Sequence, residues 1–433
     1  MKKSSLGFWT VLSLVVGNMI GAGIFMLPSS LAAYGSLSLI GWGITVVGVI
    51  LIALVFAKLS SVLPTAGGPY AYCRSGFGDF IGFQIAWTYW LSLWIGSAGT
   101  IAGTIGYLSF FFPEIATSGS LSLFLGVGIT WGLTFIQLIS LQAAGLFQIL
   151  TTILKISPLL LLVVFGIPHV NMENFTVFNP SDTSNLMAII NVCILTMWAF
   201  VGLESGTVPA ENIENPKRVI PRATVVGTLI VAGIYMVVSA LIIGLVPNDV
   251  LQTSPTPFVI AAKTVFGPSG ALFVAVAAIV AAVGSLNGIF MLQAQVPLAA
   301  ARDGLFPQHF AKTTKNGVPA FGLVVTASLI TVALFMNQSK SLVEIFKFMI
   351  TLATLSVLIT YLFSVLSELM LFLERPDKFK RRDLLGALAL SVPAFLYILF
   401  AMIGSGKEVM MWGAFLFFAS TPLYVLVRWQ NRK

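Results

Sequence analysis

Two glycine clusters and two ionisable side chains lie inside runs that are otherwise apolar. The first cluster is Val16-Gly-Asn-Met-Ile-Gly-Ala-Gly-Ile-Phe25, with glycines at 17, 21 and 23. The second is Trp198-Ala-Phe-Val-Gly-Leu-Glu-Ser-Gly206, in which Gly202 and Gly206 flank Glu204. Glycines let a helix unwind, and unwound backbone inside a bilayer is tolerated only beside protein or a water-filled cavity. Its freed N–H and C=O groups, with the ends of the half-helices, offer a site for a charged small molecule. Close helix packing explains a single Gly-x-Gly equally well. Two clusters at corresponding positions, one of them holding an acid, favour the binding site.

The second ionisable group is Lys155, in the middle of Ile149-Leu-Thr-Thr-Ile-Leu-Lys-Ile-Ser-Pro158. A cation at the centre of a membrane helix costs about 2.5–3.5 kcal/mol on insertion scales, so its presence asks for a purpose. Two readings stand side by side: a proton carrier, because burial disfavours a charged amine, or a permanently charged lysine bonded to backbone carbonyls of the unwound first segment. Glu204 carries the same expense and reads as a gating or proton-sensitive group. Lys347 and Glu344 stand at the i,i+3 spacing of an ordinary helix-surface pair. Trp87, Trp90 and Trp94 form a helical stripe of packing or interface aromatics. Covalent chemistry finds little support: the two histidines, His169 and His309, and the two cysteines, Cys73 and Cys193, are scattered, with no metal-ligand spacing and no nucleophile–base pair. No phosphate-binding Gly-x-x-x-x-Gly-Lys-Ser/Thr run exists. A non-enzyme without cofactor or metal is expected.

These residues must be held by membrane helices. The chain has 433 residues, 58% hydrophobic and only 9% charged, with a mean hydropathy of +0.98. A soluble domain carries roughly a quarter charged residues, so lipid is the missing solvent. Segments long enough to cross a 30 Å core stand near 7–34, 36–63, 80–107, 119–139, 142–167, 185–208, 220–246, 267–300, 319–336, 343–373, 384–404 and 409–428. The runs are continuous rather than alternating, which excludes a β-barrel. With both termini cytoplasmic, Lys263, Lys340 and Lys407 fall outside, Lys155 and Lys347 fall within spans, and the rest of the 23 Lys and Arg lie inside. That asymmetry is the positive-inside rule. The net charge of +8 therefore reports topology in an inner (plasma) membrane rather than a nucleic-acid partner. No linker separates soluble domains. The expected organisation is one transmembrane domain over 1–433, with one repeat at about 7–167, an inverted second at about 185–373 and two extra helices at about 384–428.

At the glycine clusters the sequence resembles a known superfamily. Gly17-Asn-Met-Ile-Gly-Ala-Gly-Ile-Phe25 and Pro64-Thr-Ala-Gly-Gly-Pro-Tyr-Ala-Tyr72 resemble the start of the amino acid–polyamine–organocation transporters. Trp198-Ala-Phe-Val-Gly-Leu-Glu-Ser205, Glu214-Asn-Pro-Lys-Arg-Val-Ile-Pro221 and Ala301-Arg-Asp-Gly-Leu-Phe-Pro307 extend the likeness over nearly the whole chain. Within that superfamily it is most similar to the basic amino acid and polyamine antiporters, the arginine/agmatine exchanger among them. The resemblance implies an all-α LeuT-like fold of about twelve helices, with helices one and six broken and alternating access between two sides. It implies that Ile20, Gly21, Ala22, Gly23 and Ile24 hold the substrate α-carboxylate, and that carbonyls of Trp198, Phe200 and Val201 hold its amino group. Trp198 is the implied aromatic gate, Asn18 and Tyr89 polar groups near the site and inner gate, and Glu204 the gating acid.

Departures from that branch bear on specificity. Ala22 stands where it has serine, Ile289 where it has a tryptophan lining the substrate side chain, and Ser97 and Thr100 where it has asparagine and methionine. A long guanidinium chain needs stacking faces and polar partners, and this pocket has fewer of both. The antiporter branch lacks a lysine at the place of Lys155, whereas proton-coupled permeases of the superfamily, and some exchangers, carry one where sodium-coupled relatives bind sodium, and Lys155 is assigned to that point. The expected function is secondary transport of amino acids, cationic ones or polyamines among the candidates, coupled to protons through Lys155. The alternative is an obligate amino acid/amine antiporter in which Lys155 is structural. The expected partners are the small-molecule substrate, protons and the lipid bilayer, and homodimer formation stays open.

Overall fold

Long apolar runs in lipid satisfy their backbone only as helices, and helices dominate the computed structural model of the chain. It describes residues 6–65, 67–139, 141–208, 210, 213–314, 317–337, 339–374 and 381–430. In order come α1 (Phe8–Met19), α2 (Ala22–Ala32), α3 (Ser38–Val62), α4 (Pro69–Leu108), the short α5 (Glu114–Thr117), α6 (Gly119–Ile139), α7 (Leu141–Gly166) and α8 (Asn185–Trp198). They are followed by α9 (Pro216–Leu245), the short α10 (Asn248–Thr253), α11 (Pro257–Arg302), α12 (Ala320–Met336), α13 (Leu342–Glu374), α14 (Arg381–Ile403), α15 (Gly406–Phe418) and α16 (Ser420–Gln430). Among the described residues nine helical stretches are long and apolar enough to cross a membrane, the first formed by α1 and α2 together. Leu154–His169, α8 and α12 are shorter apolar helices. Every segment expected from the sequence is matched by one of these, and the chain is a multi-pass membrane protein.

Both expected interruptions are present. The first span stops at Met19 and restarts at Ala22, and the sixth stops at Trp198, after which the chain turns through to a 3-10 turn at Ser205–Thr207. Two further breaks mark the boundaries read from hydropathy. Gly78 (φ 81°) and Gly267 (φ 70°) interrupt α4 and α11 with a conformation that favours glycine. Each follows a stretch of helix opened by a proline, Pro69 and Pro257, whose fixed φ suits a first helical position. Hydropathy makes 247–266 a polar loop between spans; α10 and the first part of α11 instead make much of it helical, because Pro257 starts a helix that Gly267 ends.

The core sits where the broken elements meet. The spans built from α1–α2, α4 and α13 are the most deeply buried, while α14 and the α15–α16 span lie at the rim. α13 packs along α4 more extensively than any other pair, and α11 lies against both α4 and α7. The outer face carries Phe124, Phe135, Val164, Met411 and Phe418, all exposed, a surface only lipid can cover. Close crossings rely on small residues: a Cβ at Gly41 would stand 2.2 Å from Val192, and one at Gly48 2.2 Å from the Tyr397 ring.

One surface expectation changes. Among the described residues Glu344 does not pair with Lys347; it accepts the backbone N–H of Ser341 at 2.9 Å and its hydroxyl at 2.7 Å. Lys347 instead lies over the Tyr34 ring, 5.8 Å from its centroid. At the first turn of α13 the serine cap is nearer to the carboxylate than a residue one turn on, which explains the exchange of partners. Two members of the tryptophan stripe bond inside the protein: Trp87 Nε1 donates to Leu416 O at 3.0 Å and Trp90 Nε1 to Thr326 Oγ1 at 3.2 Å.

Replacing Gly48 by valine forces the α3–α14 crossing apart, and overpacking of this kind costs about 1–3 kcal/mol. A Cβ at Gly43 on the same helix would meet nothing within 4 Å, which makes Gly43→Val the control. The expected result is a lower melting temperature in detergent for Gly48→Val only; equal melting of the two variants would contradict a tight α3–α14 crossing.

Candidate functional site

The break in the first span is extended backbone: Ile20 has φ −79°, ψ 98° and Gly21 φ −141°, ψ −159°. It leaves the last carbonyls of α1 and the first amides of α2 outside a helical ladder. Two of those carbonyls are taken by side chains from other helices. Lys155 Nζ donates to Gly17 O at 3.0 Å and Tyr235 OH to Met19 O at 2.7 Å. Further along, Tyr107 OH donates to Phe25 O at 2.7 Å. The amides that open α2 receive no side-chain cap from Gly21. A helix N-terminus with free amides attracts an anion.

The second break lies against the first. Gly202 (φ 111°) comes so near that a Cβ there would stand 3.1 Å from Asn18 Cβ. Asn18 Nδ2 donates to Ser205 Oγ at 2.8 Å, and its buried Oδ1 has no partner among the described residues. Past Trp198 the backbone makes tight turns: Phe200 N–H donates to Met197 O, Val201 N–H to Trp198 O and Leu203 N–H to Phe200 O. Glu204, fully buried, sits on this segment. Tyr89 OH donates to its Oε1 at 2.7 Å, while Tyr361 OH and the Gly202 N–H (3.1 Å) donate to Oε2. The acid thus ties α4, α13 and the second break into one knot.

Between these elements lies a narrow cavity of about 30 Å³. The breaks contribute Asn18, Met19, Gly21, Gly23, Trp198, Ala199, Val201, Gly202 and Glu204. α4 contributes Tyr89, Ser92, Leu93 and Thr100, and α11 contributes Ser285, Ile289 and Leu292. The Trp198 indole reaches from Gly23, where a Cβ would be 3.1 Å away, to Gly96, where it would be 2.1 Å away. The missing side chains are what admit the ring. Gly21 is fitted as tightly, since a Cβ would stand 2.3 Å from Ser285 Oγ.

Of the residues assigned from the sequence, Asn18, Gly21, Gly23, Tyr89, Trp198, Val201, Ile289 and Glu204 come together on this wall. Ala22 is described by its backbone alone, as the first residue of α2. Ile20, Ile24, Ser97, Phe200 and Lys155 are buried behind it. Phe200 packs its ring between Trp42 and Tyr235, with centroids at 6.0 and 5.5 Å, and Ser97 Oγ donates to Leu93 O at 2.9 Å. Sequence reasoning missed Ser92, Leu93, Ser285 and Leu292. Helical spacing held the signal, because 285, 289 and 292, like 89, 92 and 93, share one face. Tyr361 and Tyr235 gave no signal of their own, as each acts from a distant span.

One end of the bundle is closed by ion pairs. Arg74 bridges Asp79 (3.0 Å) and Asp303 (2.7 Å), Arg428 reaches Asp79 at 2.8 Å, and Tyr70 OH donates to Asp303 at 2.7 Å. α4, α16 and the loop after α11 are joined there. No group of three or more His, Cys, Asp or Glu side chains gathers among the described residues.

Paired helix breaks facing one buried cavity in a multi-pass protein define a membrane permease rather than a channel. The amino acid permease family model matches residues 6–427, and the chain belongs to that family. It is 34% identical over 429 residues to a putative arginine/ornithine antiporter of Bacillus subtilis, covering 90% of this chain and 91% of the relative. It is 30% identical to the cadaverine/lysine antiporter of Escherichia coli over 83% and 82% of the two chains. An arginine/ornithine antiporter of Pseudomonas aeruginosa is 30% identical over 98% and 90%.

The fit of Gly21 against Ser285 can be read by a double-mutant cycle. Gly21→Ala is expected to weaken amino acid binding at least about tenfold, since the new methyl must move α11 or close the break. Gly21→Ala with Ser285→Gly is expected to recover most of that loss in calorimetry; no recovery would show that the strain lies elsewhere.

Proposed function

We propose that this protein exchanges amino acids or related amines across an inner membrane by alternating access, its termini on the cytoplasmic side. The observation that carries the reading is the pair of breaks meeting at one cavity. The substrate carboxylate takes the first-turn amides of α2, from Gly21 to Ile24, where the helix dipole adds to their hydrogen bonds. The ammonium takes the unpartnered Asn18 Oδ1 and carbonyls of the Trp198–Val201 turns. Trp198 closes over the bound molecule. The ion pairs of Arg74, Asp79, Asp303 and Arg428 must part when the cavity opens to their end. The matching glycine breaks at 78 and 267 support two inverted repeats, over about 7–167 and 185–373. The activities that name these three relatives, all of them exchanges, support exchange over one-way uptake.

Lys155 is then a fixed cation. Its ammonium meets a carbonyl at the C-terminal end of α1, where a helix is negatively polarised, and it joins α7 to the first break. A second reading, proton-coupled uptake, is favoured by one observation: this ammonium is fully buried and forms no ion pair among the described residues.

Proteoliposomes separate the two. Labelled amino acid is expected to enter vesicles preloaded with amino acid or amine, and to ignore a pH gradient across empty ones. Lys155→Met should lower stability and leave the exchange equally insensitive to that gradient. Accumulation in empty vesicles that follows an inward proton gradient, and is lost in Lys155→Met, would replace exchange by proton coupling.

A further inference from the structure

We infer that the cavity selects amino acids with uncharged side chains, in departure from the basic substrates named for the relatives. The inference rests on the exchange reading, which puts the substrate backbone at the two breaks. Its side chain must then lie along the rest of the lining, made by Ser92, Leu93 and Thr100 of α4 and Ile289 and Leu292 of α11, since Ser285 stands against Gly21. None of the five is charged, and three are aliphatic.

A distal ammonium or guanidinium needs an acceptor here. Among the described residues Glu204 is the one acidic side chain on the cavity lining, and both of its oxygens already receive hydrogen bonds, from Tyr89, Tyr361 and Gly202. It also sits on the second break, at the end that receives the substrate backbone. Behind the wall, one turn beyond Leu93 and Ile289, Ser97 and Gln293 face each other at 3.5 Å, both buried and uncharged. The Ser92 hydroxyl donates to Tyr89 O at 2.7 Å and offers a cation only a neutral oxygen.

A charged end would therefore be stripped of water and left without a counter-charge, a costly state in a low-dielectric interior. An aliphatic chain of the same length meets Leu93, Ile289 and Leu292 and gains by leaving water. The Thr100 hydroxyl leaves room for a small neutral polar group. A diamine fares worst, since it brings no carboxylate to the amides of α2.

Norleucine and ornithine test this directly, because their side chains have the same number of heavy atoms and differ in a terminal methyl against an ammonium. Calorimetric binding to the purified full chain in detergent is expected to favour norleucine at least about tenfold, with no displacement by cadaverine. Counterflow of labelled norleucine into vesicles preloaded with unlabelled norleucine is run beside it. A ratio near one, or tighter binding of ornithine or cadaverine, overturns the uncharged class and leaves amino acid exchange standing. Absence of binding and of counterflow for all three overturns the exchange reading and this inference together.

Discussion

Backbone hydrogen bonding in lipid is the constraint from which the rest of the structure follows. An amide or carbonyl left without a partner in a hydrocarbon core costs several kcal/mol, so a helix cannot be interrupted there without help. Two spans of this protein are interrupted where they meet, and the help comes from side chains on other helices. Lys155 and Tyr235 take the carbonyls that α1 leaves over. Glu204 turns back to hold the Gly202 amide of the second break. Among the described residues the buried Asn18 oxygen remains without a partner, beside the opening turn of α2, which has no side-chain cap; in the proposed site these are what a zwitterion offers to satisfy.

The two buried ionisable groups at the breaks, Lys155 and Glu204, are therefore divided in their work. Lys155 supports the first break from behind and does not line the cavity, whereas Glu204 lines it and is held by tyrosines from α4 and α13. Neither needs the other for charge balance, because each is matched by dipoles: a helix C-terminus for the ammonium, and two hydroxyls with one amide for the carboxylate. Such dipolar support works for buried charge where a direct pair would have to be desolvated twice. It also ties the state of the site to helices far apart in the chain.

The spans, both breaks and the family were legible in the sequence, because glycine clusters and runs of apolar residues are local signals. Gly21, Gly23, Trp198 and Val201 reach the cavity wall directly from those local motifs. The residues that were missed depend on tertiary contact. Tyr361 lies 157 positions from the carboxylate it serves, and no local pattern marks it. Phe200 was read for its carbonyl alone; the place of its ring, between Trp42 and Tyr235, depends on tertiary contact and had no local signal. The helix over 257–266 was hidden by composition, since Pro257 and Gly267 read as loop signals when they are the two ends of a helix.

The four charged residues that close one end of the bundle are a third to a half exposed, unlike the Lys58–Glu368 pair, whose carboxylate is buried. Exposed pairs weaken as ions accumulate around them, over a Debye length of about 8 Å at physiological salt. The buried Glu204 knot is shielded from that effect. Raising ionic strength on the Arg74 side therefore weakens those contacts. In the proposed alternating-access cycle, the electrolyte content of that compartment enters the balance between the open states.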